Sequence, residues 1–459
     1  KNFANYELGI VSGIAFDDKN GNGIKEAGEL PRISWQIKIG GGKIDSTYTN
    51  DTGYFSFRGL TVGNYTVTQF LTSNYLQTLP FQNSYNVSIL GGTNLANKDF
   101  GSFAYGFISG IKFNDINGNG TQEFNEPPIA NWKIKLNGDR NDTANTNSDG
   151  YYEFTNIHPG EYTLSEIQQS GWRQTLPANN QPYNLLIKSG AQFNEKNFGN
   201  YQLATIGGTK FDDINGNGAW DENEPGIVGW KIKISGASLN DSVLTNNSGE
   251  YLFRNIEQGM YTISEVLPTG WIQTYPSSPS TYTVVINKGS QFITEKDFGN
   301  FKLGIISGIK FNDMNSNGVK DSNDTGLSGW KIKLSGQKND SIITAANGSY
   351  AFINLRAGIY SVSEVMQSNW YQSMPASGSY TITVTSGANS ISTDFGNYQY
   401  GSIAGMKFYD INGNGIKDNG ENGLSNWKIR MSGYKTDSVI TDATGNYSFA
   451  NLHPGMYVL

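Results

Sequence analysis

Trp132-Lys133-Ile134-Lys135-Leu136 puts three apolar side chains on one side of an extended chain and two lysines on the other. Successive side chains of a strand leave opposite faces, so this period-two alternation predicts a strand buried on one face only. The same strand recurs as Trp35-Ile37-Ile39, Trp230-Ile232-Ile234, Trp330-Ile332-Leu334 and Trp427-Ile429-Met431. A second alternating strand follows each, entered through a turn such as Asp149-Gly150 and carrying Tyr152 and Phe154. Its counterparts are Phe55/Phe57, Tyr251/Phe253, Tyr350/Phe352 and Tyr447/Phe449. No stretch sustains a 3.6-residue apolar period. Short alternating strands between Gly, Pro and Asn turns predict an all-β fold of antiparallel sandwiches.

Working outward, the string Asp-x-Asn-x-Asn-Gly begins at Asp18, Asp115, Asp213, Asp313 and Asp410, at spacings of 97, 98, 100 and 97 residues. A solenoid unit rarely exceeds about 50 residues, so a period near 98 reads as one small domain repeated. The expected division is residues 1–8 as the end of a preceding repeat, then repeats at 9–104, 105–202, 203–302 and 303–399, and a truncated fifth at 400–459. Both ends cut a repeat, which predicts an excerpt of a longer array. The boundaries carry apolar pairs, Phe103/Tyr105, Tyr201/Leu203, Phe301/Leu303 and Tyr398/Tyr400, in place of flexible Gly/Ser or Pro-rich linkers. Such pairs predict joints packed between neighbours and a stiff rod; the alternative is that both residues complete the preceding core.

Composition narrows the function. The 459 residues include no cysteine, so disulfides, thiolate nucleophiles and cysteine metal sites are excluded. A net charge of −7 argues against nucleic acid and anionic membranes, and no apolar run approaches the ~18 residues of a membrane helix. The two histidines, His158 and His453, fall in His-Pro-Gly turns that other copies replace with Val62, Gln258 and Ala357, and no nucleophile elbow or phosphate loop is present. An enzyme with turnover is not expected.

The repeated string opens a twelve-residue loop with oxygen donors at positions 1, 3, 5, 9 and 12, a glycine at 6 and a backbone carbonyl at 7, the donor spacing of a calcium loop. In copy one these are Asp18, Asn20, Asn22, Ile24, Glu26 and Glu29. Copy two has Asp115, Asn117, Asn119, Thr121, Glu123 and Glu126, and copy three Asp213, Asn215, Asn217, Ala219, Asp221 and Glu224. Copy four has Asp313, Asn315, Asn317, Val319, Asp321 and Asp324, and copy five Asp410, Asn412, Asn414, Ile416, Asp418 and Glu421. A plain Asn/Gly turn does not explain acids at both 9 and 12 in every copy. Five Ca2+ are expected, one per repeat; their ten positive charges would move the net from −7 to +3. Copy four, with Ser316 at position 4 and the shorter Asp324 at position 12, is expected to bind most weakly.

The run Ser109-Gly110-Ile111-Lys112-Phe113-Asn114-Asp115-Ile116-Asn117-Gly118-Asn119-Gly120, with Trp132, Gly150-Tyr151-Tyr152, Gly160-Glu161-Tyr162-Thr163 and Asn197-Phe198-Gly199-Asn200, resembles the B-type repeats of bacterial surface proteins. These are the calcium-binding B repeats of serine-aspartate-repeat adhesins and the B-type, prealbumin-like domains of collagen adhesins. The resemblance covers essentially the whole chain. It implies an extracellular Ig-like sandwich used as a stalk or spacer, with an internal isopeptide bond in some members.

Aligned copies then share a polar set: Lys112, Glu166, Asn200 in copy two, Lys210, Glu265, Asn300 in copy three, and Lys310, Glu364, Asn397 in copy four. Copy one has Ala15, Gln69 and Ser102 instead, so the three polar groups vanish together. In the resembled families such a set makes a Lys–Asn isopeptide, which needs a neutral amine and a protonated carboxyl, both favoured by burial. Alternation turns Glu166 and Asn200 inward, whereas Lys112, between Ile111 and Phe113, points inward only if its strand is covered on both sides. Asn197, Asp297 and Asp394 are rival acceptors, although Asp99 persists in copy one. A structural Lys–Glu pair with an Asn is the alternative.

The expected role is mechanical: a calcium-stiffened bacterial surface stalk or fibre shaft. The alternatives are an adhesin whose repeats contact host protein or glycan, for which Trp220 is the candidate aromatic, and a spacer of a large secreted enzyme. Trp172, Trp271 and Trp370 are expected to cap the cores rather than bind sugar. Expected partners are neighbouring repeats of the same longer chain, with lateral or end-to-end self-association left open.

Overall fold

The computed structural model describes residues 1–237 and 239–459. They fall into two compact units, Lys1–Ile206 with Arg254–Gly259 and Val285–Ile293, and Gly207–Phe253 with Met260–Val284 and Thr294–Leu459.

Repeat two, wholly in the first unit, displays the plan. One sheet orders its strands Tyr151–Ile157, Gly106–Asn114, Phe198–Gln202, Trp172–Leu176; the other orders Asp142–Asn145, Lys133–Asn137, Gly160–Glu166, Tyr183–Ile187. Residues that alternation assigns inward, Ile134, Leu136, Tyr152, Phe154, Tyr162 and Leu164, meet between the sheets in one buried cluster. Each such side chain contributes roughly 1.5–3 kcal/mol when fully buried, while Lys133 and Lys135 stay in water. The same two sheet orders recur in all four full-length copies. Pairing is antiparallel except where the first strand of a repeat runs parallel to its last two, Lys112 opposite Phe198 and Asn114 opposite Asn200.

That parallel pair places the site. Ile108, Gly110 and Lys112 share the face toward the core, and Lys112 is fully buried. Phe113, on the opposite face, is also fully buried, and the returning chain pairs beside it at Pro128. The first strand is thus covered on both sides at this point, the condition under which Lys112 points inward.

Consecutive repeats are separated by one residue. Phe100–Ala104 gives way to Gly106–Asn114 through Tyr105, and Phe298–Lys302 to Gly304–Asn312 through Leu303. Phe103 belongs to the core cluster of repeat two and Phe301 to that of repeat four. Tyr105 packs against His158 with the rings tilted by 37° and their centroids 5.4 Å apart. These joint aromatics therefore serve the following repeat rather than completing the preceding core.

Candidate functional site

In repeat two the parallel register sets Lys112 beside Phe198, and Asn200, two residues on, shares that face. From the facing sheet, Glu166 pairs with Ile134 and so also points between the sheets. The three side chains meet: Lys112 Nζ lies 3.1 Å from Glu166 Oε2 and donates to Asn200 Oδ1, while Asn200 Nδ2 donates to Glu166 Oε1 at 2.7 Å. The ammonium sits 4.5 Å from the centre of the Trp132 ring. Burial pushes the Lys112 pKa down to about 8, against the pull of the Glu166 carboxylate. Burial likewise raises the Glu166 carboxyl, against the Lys112 charge. Both shifts favour the neutral forms.

Repeat four keeps the lysine contacts, with Lys310 Nζ 3.2 Å from Glu364 Oε2 and donating to Asn397 Oδ1, while Asn397 Nδ2 points to Met366 Sδ at 3.6 Å rather than to the glutamate. Here too burial lowers the lysine to about 8 and raises the glutamate. Repeat three brings the same residues into one buried place but turns the lysine aside. Lys210 Nζ donates to the backbone oxygens of Phe211 and Phe298, at 3.0 and 3.2 Å. Glu265 lies near enough to Asn300 and Trp230 to be influenced by them, yet outside strict hydrogen-bond geometry. Burial still pushes Lys210 down and Glu265 up.

The rival acceptors have other work. Asn197, Asp297 and Asp394 each take a backbone N–H through Oδ1, from Ile111 (2.9 Å), Thr209 (2.7 Å) and Ile309 (2.7 Å). Asp99 does the same for Ile14 in repeat one, which explains its persistence without a lysine. In that repeat Ala15 fills the lysine place, and both polar atoms of the buried Gln69 amide have no hydrogen-bond partner among the described residues.

The acidic loops are wound by their own side chains. Asp18, fully buried, accepts the amides of Gly21 and Asn22 through Oδ1 and of Gly23 through Oδ2. Asn20 and Asn22 each accept the amide two residues on, and their Nδ2 groups donate to Glu26. Glu29 closes the loop by accepting the amides of Lys19 (2.8 Å) and Glu26 (2.9 Å). Loops two to five follow the same scheme. In loop four the shorter Asp324 still takes both closing amides, from Met314 (3.1 Å) and Asp321 (2.8 Å), whereas Ser316 is held at φ 56° where the other loops have glycine.

Among the described residues no three His, Cys, Asp or Glu side chains converge as a metal site. The loops place amides of positions 3 and 5 between the carboxylates, giving a mixed, all-oxygen donor set suited to a hard cation. Burial first, and the neighbouring Asp115 charge after it, raise the Glu126 carboxyl; burial and Asp213 do so at Glu224. A divalent cation held by positions 1, 3, 5, 7, 9 and 12 would relieve that repulsion.

The profile of the SdrD B-like domain matches residues 10–88, 108–202, 204–293, 305–399 and 401–459. The chain belongs to this family. Serine-aspartate repeat-containing protein F of Staphylococcus epidermidis (strain ATCC 12228) is 29% identical over 75% of this chain and 24% of its own length. Serine-aspartate repeat-containing protein D of Staphylococcus aureus (strain MW2) is 25% identical over 99% of this chain and 38% of its own. The chain thus spans well under half the length of these relatives. Among solved structures, two B repeat units of the collagen-binding protein of S. aureus align at 12% identity and a TM-score of 0.17, over 86% of this chain and 99% of theirs. The Bacillus cereus major pilin BcpA aligns at 9% identity and a TM-score of 0.31, over 64% and 100%.

Within these SdrD B-like repeats the aromatic candidates are structural. Trp172, Trp271 and Trp370 meet Trp132, Trp230 and Trp330 edge to face, at 5.5, 5.1 and 5.6 Å. Trp220 stacks on Phe211 at 5.6 Å, and its Nε1 donates to the Glu224 carbonyl at 3.0 Å. Lys25 and Lys320 do both things at the same loop position in repeats one and four. Trp220 therefore substitutes for a lysine over the loop and forms no separate aromatic patch. No helix among the described residues is long and apolar enough to cross a membrane.

Proposed function

We propose that this chain is part of the stalk of a bacterial surface protein, outside the cell, with sandwich repeats stiffened by calcium and repeats two to four closed by Lys–Asn isopeptide bonds. The observation that carries it is the one-residue joint: with Phe103 and Phe301 in the cores of the following repeats, a bend must disturb a core. The family and its adhesin relatives support the surface setting.

Calcium, when bound, supplies charge neutralisation and a fixed loop geometry. The residues that would hold it in each copy are those at loop positions 1, 3, 5, 7, 9 and 12. In the bond-forming step, neutral Lys112 Nζ attacks Asn200 Cγ, protonated Glu166 passes its proton to the departing Nδ2, and the carboxylate so formed takes the surplus proton from Nζ, which restores the glutamic acid. The Nζ–Cγ bond forms, the Cγ–Nδ2 bond breaks, and Nδ2 leaves as ammonia. The lowered lysine, the raised glutamate and the contacts of both with Asn200 support this route. It happens once per repeat, without turnover.

Intact mass of the denatured chain tests the bonds: a deficit of three ammonia molecules is expected, and a mass equal to the sequence mass rejects them. Small-angle scattering tests the stalk: chelator should shorten the largest dimension while the β signal in circular dichroism persists. Unchanged scattering would reject calcium stiffening.

A further inference from the structure

The acidic loops face two ways. In loop three the backbone of Ile214, position 2, is held at both of its polar groups: its N–H donates to Oε1 of Glu224, the position-12 ligand candidate, at 2.8 Å, and its carbonyl accepts the amide of Ser386 in repeat four at 3.0 Å. Loop two repeats this through Ile116, which donates to Glu126 at 2.8 Å and accepts from Gly289 of repeat three at 2.8 Å. Loop one does so through Lys19, which accepts from Ser189 of repeat two at 3.0 Å. Each of the three joints lies within a single compact unit.

Position 4 forms the rest of the seat. A Cβ on Gly21 would come within 2.1 Å of Pro159, and one on Gly216 within 2.6 Å of Ala357, both in the turn of the following repeat that otherwise carries Gln258. Gln258 itself donates to the carbonyl of Asn117 at 2.5 Å. At Gly21 and Gly216 the glycine is needed for clearance as well as for its φ of 72° and 71°.

We infer that each of loops one to three is the socket for the following repeat, and that docking and calcium binding are linked through the position-2 residue, so the affinity of such a loop is set by its C-terminal neighbour. This rests on the calcium reading above. The neighbour holds the position-2 carbonyl and so restricts φ and ψ of the residue whose N–H orients the position-12 carboxylate. Part of the ordering cost of the loop is then met before the ion arrives. Linkage is reciprocal, so the ion must tighten the joint by the factor by which the joint tightens the ion.

Joint three provides the test, because Trp220 lies in its loop as an optical reporter. Ser386 is the first central residue of a turn closed by Ala388 N–H on the Thr385 carbonyl at 2.9 Å, with Gly387 at φ 69°. Proline suits that place. Ser386→Pro therefore removes the amide donated to Ile214 and keeps the turn. Ser386→Ala keeps the amide and removes only the Oγ that accepts from Lys302 N–H at 2.9 Å.

The full chain is titrated with calcium, and the loop-three signal is taken as the emission that Trp220→Lys abolishes. Ser386→Pro should raise the loop-three midpoint by about 5- to 150-fold, with Ser386→Ala close to the parent chain. An unchanged midpoint in Ser386→Pro overturns the linkage. Hydrogen exchange in the unaltered chain gives a second reading that needs no folded variant. Protection of the Ser386 amide should fall on chelation while amides in the Gly358–Glu364 strand hold; equal protection overturns the inference. A parent chain with neither calcium adducts in native mass spectra nor a Trp220 response fails earlier, at the calcium reading, and takes the inference with it.

Discussion

Repeat one sets Ala15, Gln69 and Ser102 where repeat two sets Lys112, Glu166 and Asn200, yet the two sandwiches have the same strand orders and equivalent apolar clusters. The polar set is therefore not what makes this fold. It is an addition that carries a cost, since taking an ion pair out of water costs several kcal/mol per ion before mutual attraction offsets it. A sandwich that folds without such a set, beside one that buries it, isolates what the set does.

The sharpest way to break the comparison is to cut each site. Lys112→Met leaves Glu166 without its cation between the sheets, and repeat two should lose about 3–5 kcal/mol. Gln69→Met removes an amide whose two polar atoms are unpartnered among the described residues, and repeat one should gain about 1 kcal/mol. Hydrogen exchange read repeat by repeat checks both in the full chain. Changes of the same sign in the two repeats would show that the sites are equivalent after all.

The pH dependence is a smaller effect that separates bonded from unbonded repeats. Folded Lys112 titrates near 8 and an unfolded lysine near 10.5. Between those values the unfolded chain holds a proton the folded repeat lacks, so an unbonded repeat two gains stability as pH rises from about 8 to about 10.5. Glu166 works the other way: its raised folded pKa means that stability falls as pH climbs past 4.5. An isopeptide bond abolishes the lysine limb and leaves the glutamate limb, and repeat one should show neither. Exchange-monitored stability from pH 4 to pH 11 distinguishes these profiles.

The smallest contrast is between loops two and four. Ser316 holds a left-handed φ of 56° where Gly118 holds 71°. Ser316→Gly should stabilise repeat four by about 0.5–1 kcal/mol, net of the greater entropy glycine brings to the unfolded chain. It should also raise calcium affinity at that loop, as read by calorimetric titration. Loss of affinity would mean that the Ser316 side chain takes part in the site.

Much of this was legible in the sequence because the signals are local. Period-two alternation predicts which faces of Lys133–Asn137 and Tyr151–Ile157 are buried, because pleating forces it. A twelve-residue loop carries its own donors at fixed offsets, so Asp18 to Glu29 declares itself without tertiary help. The inward lysine was only conditionally legible: Phe113 looks like a core residue beside it, and only the burial of both Lys112 and Phe113 in the folded repeat shows both faces covered. The meeting of Lys112 with Asn200 depends on parallel pairing of strands 86 residues apart, Lys112 opposite Phe198. The joint was less legible still, since the Ile214 carbonyl and the Ser386 amide are backbone groups that every residue there would supply. Sequence by itself determined the strands, the acidic loops and which side chains are apolar, all set by chemistry within a dozen residues, and the repeat, set by their recurrence every 97–100 residues. Tertiary structure alone decided which distant groups share a site and which loop faces the following repeat, because those depend on sheet register and domain docking.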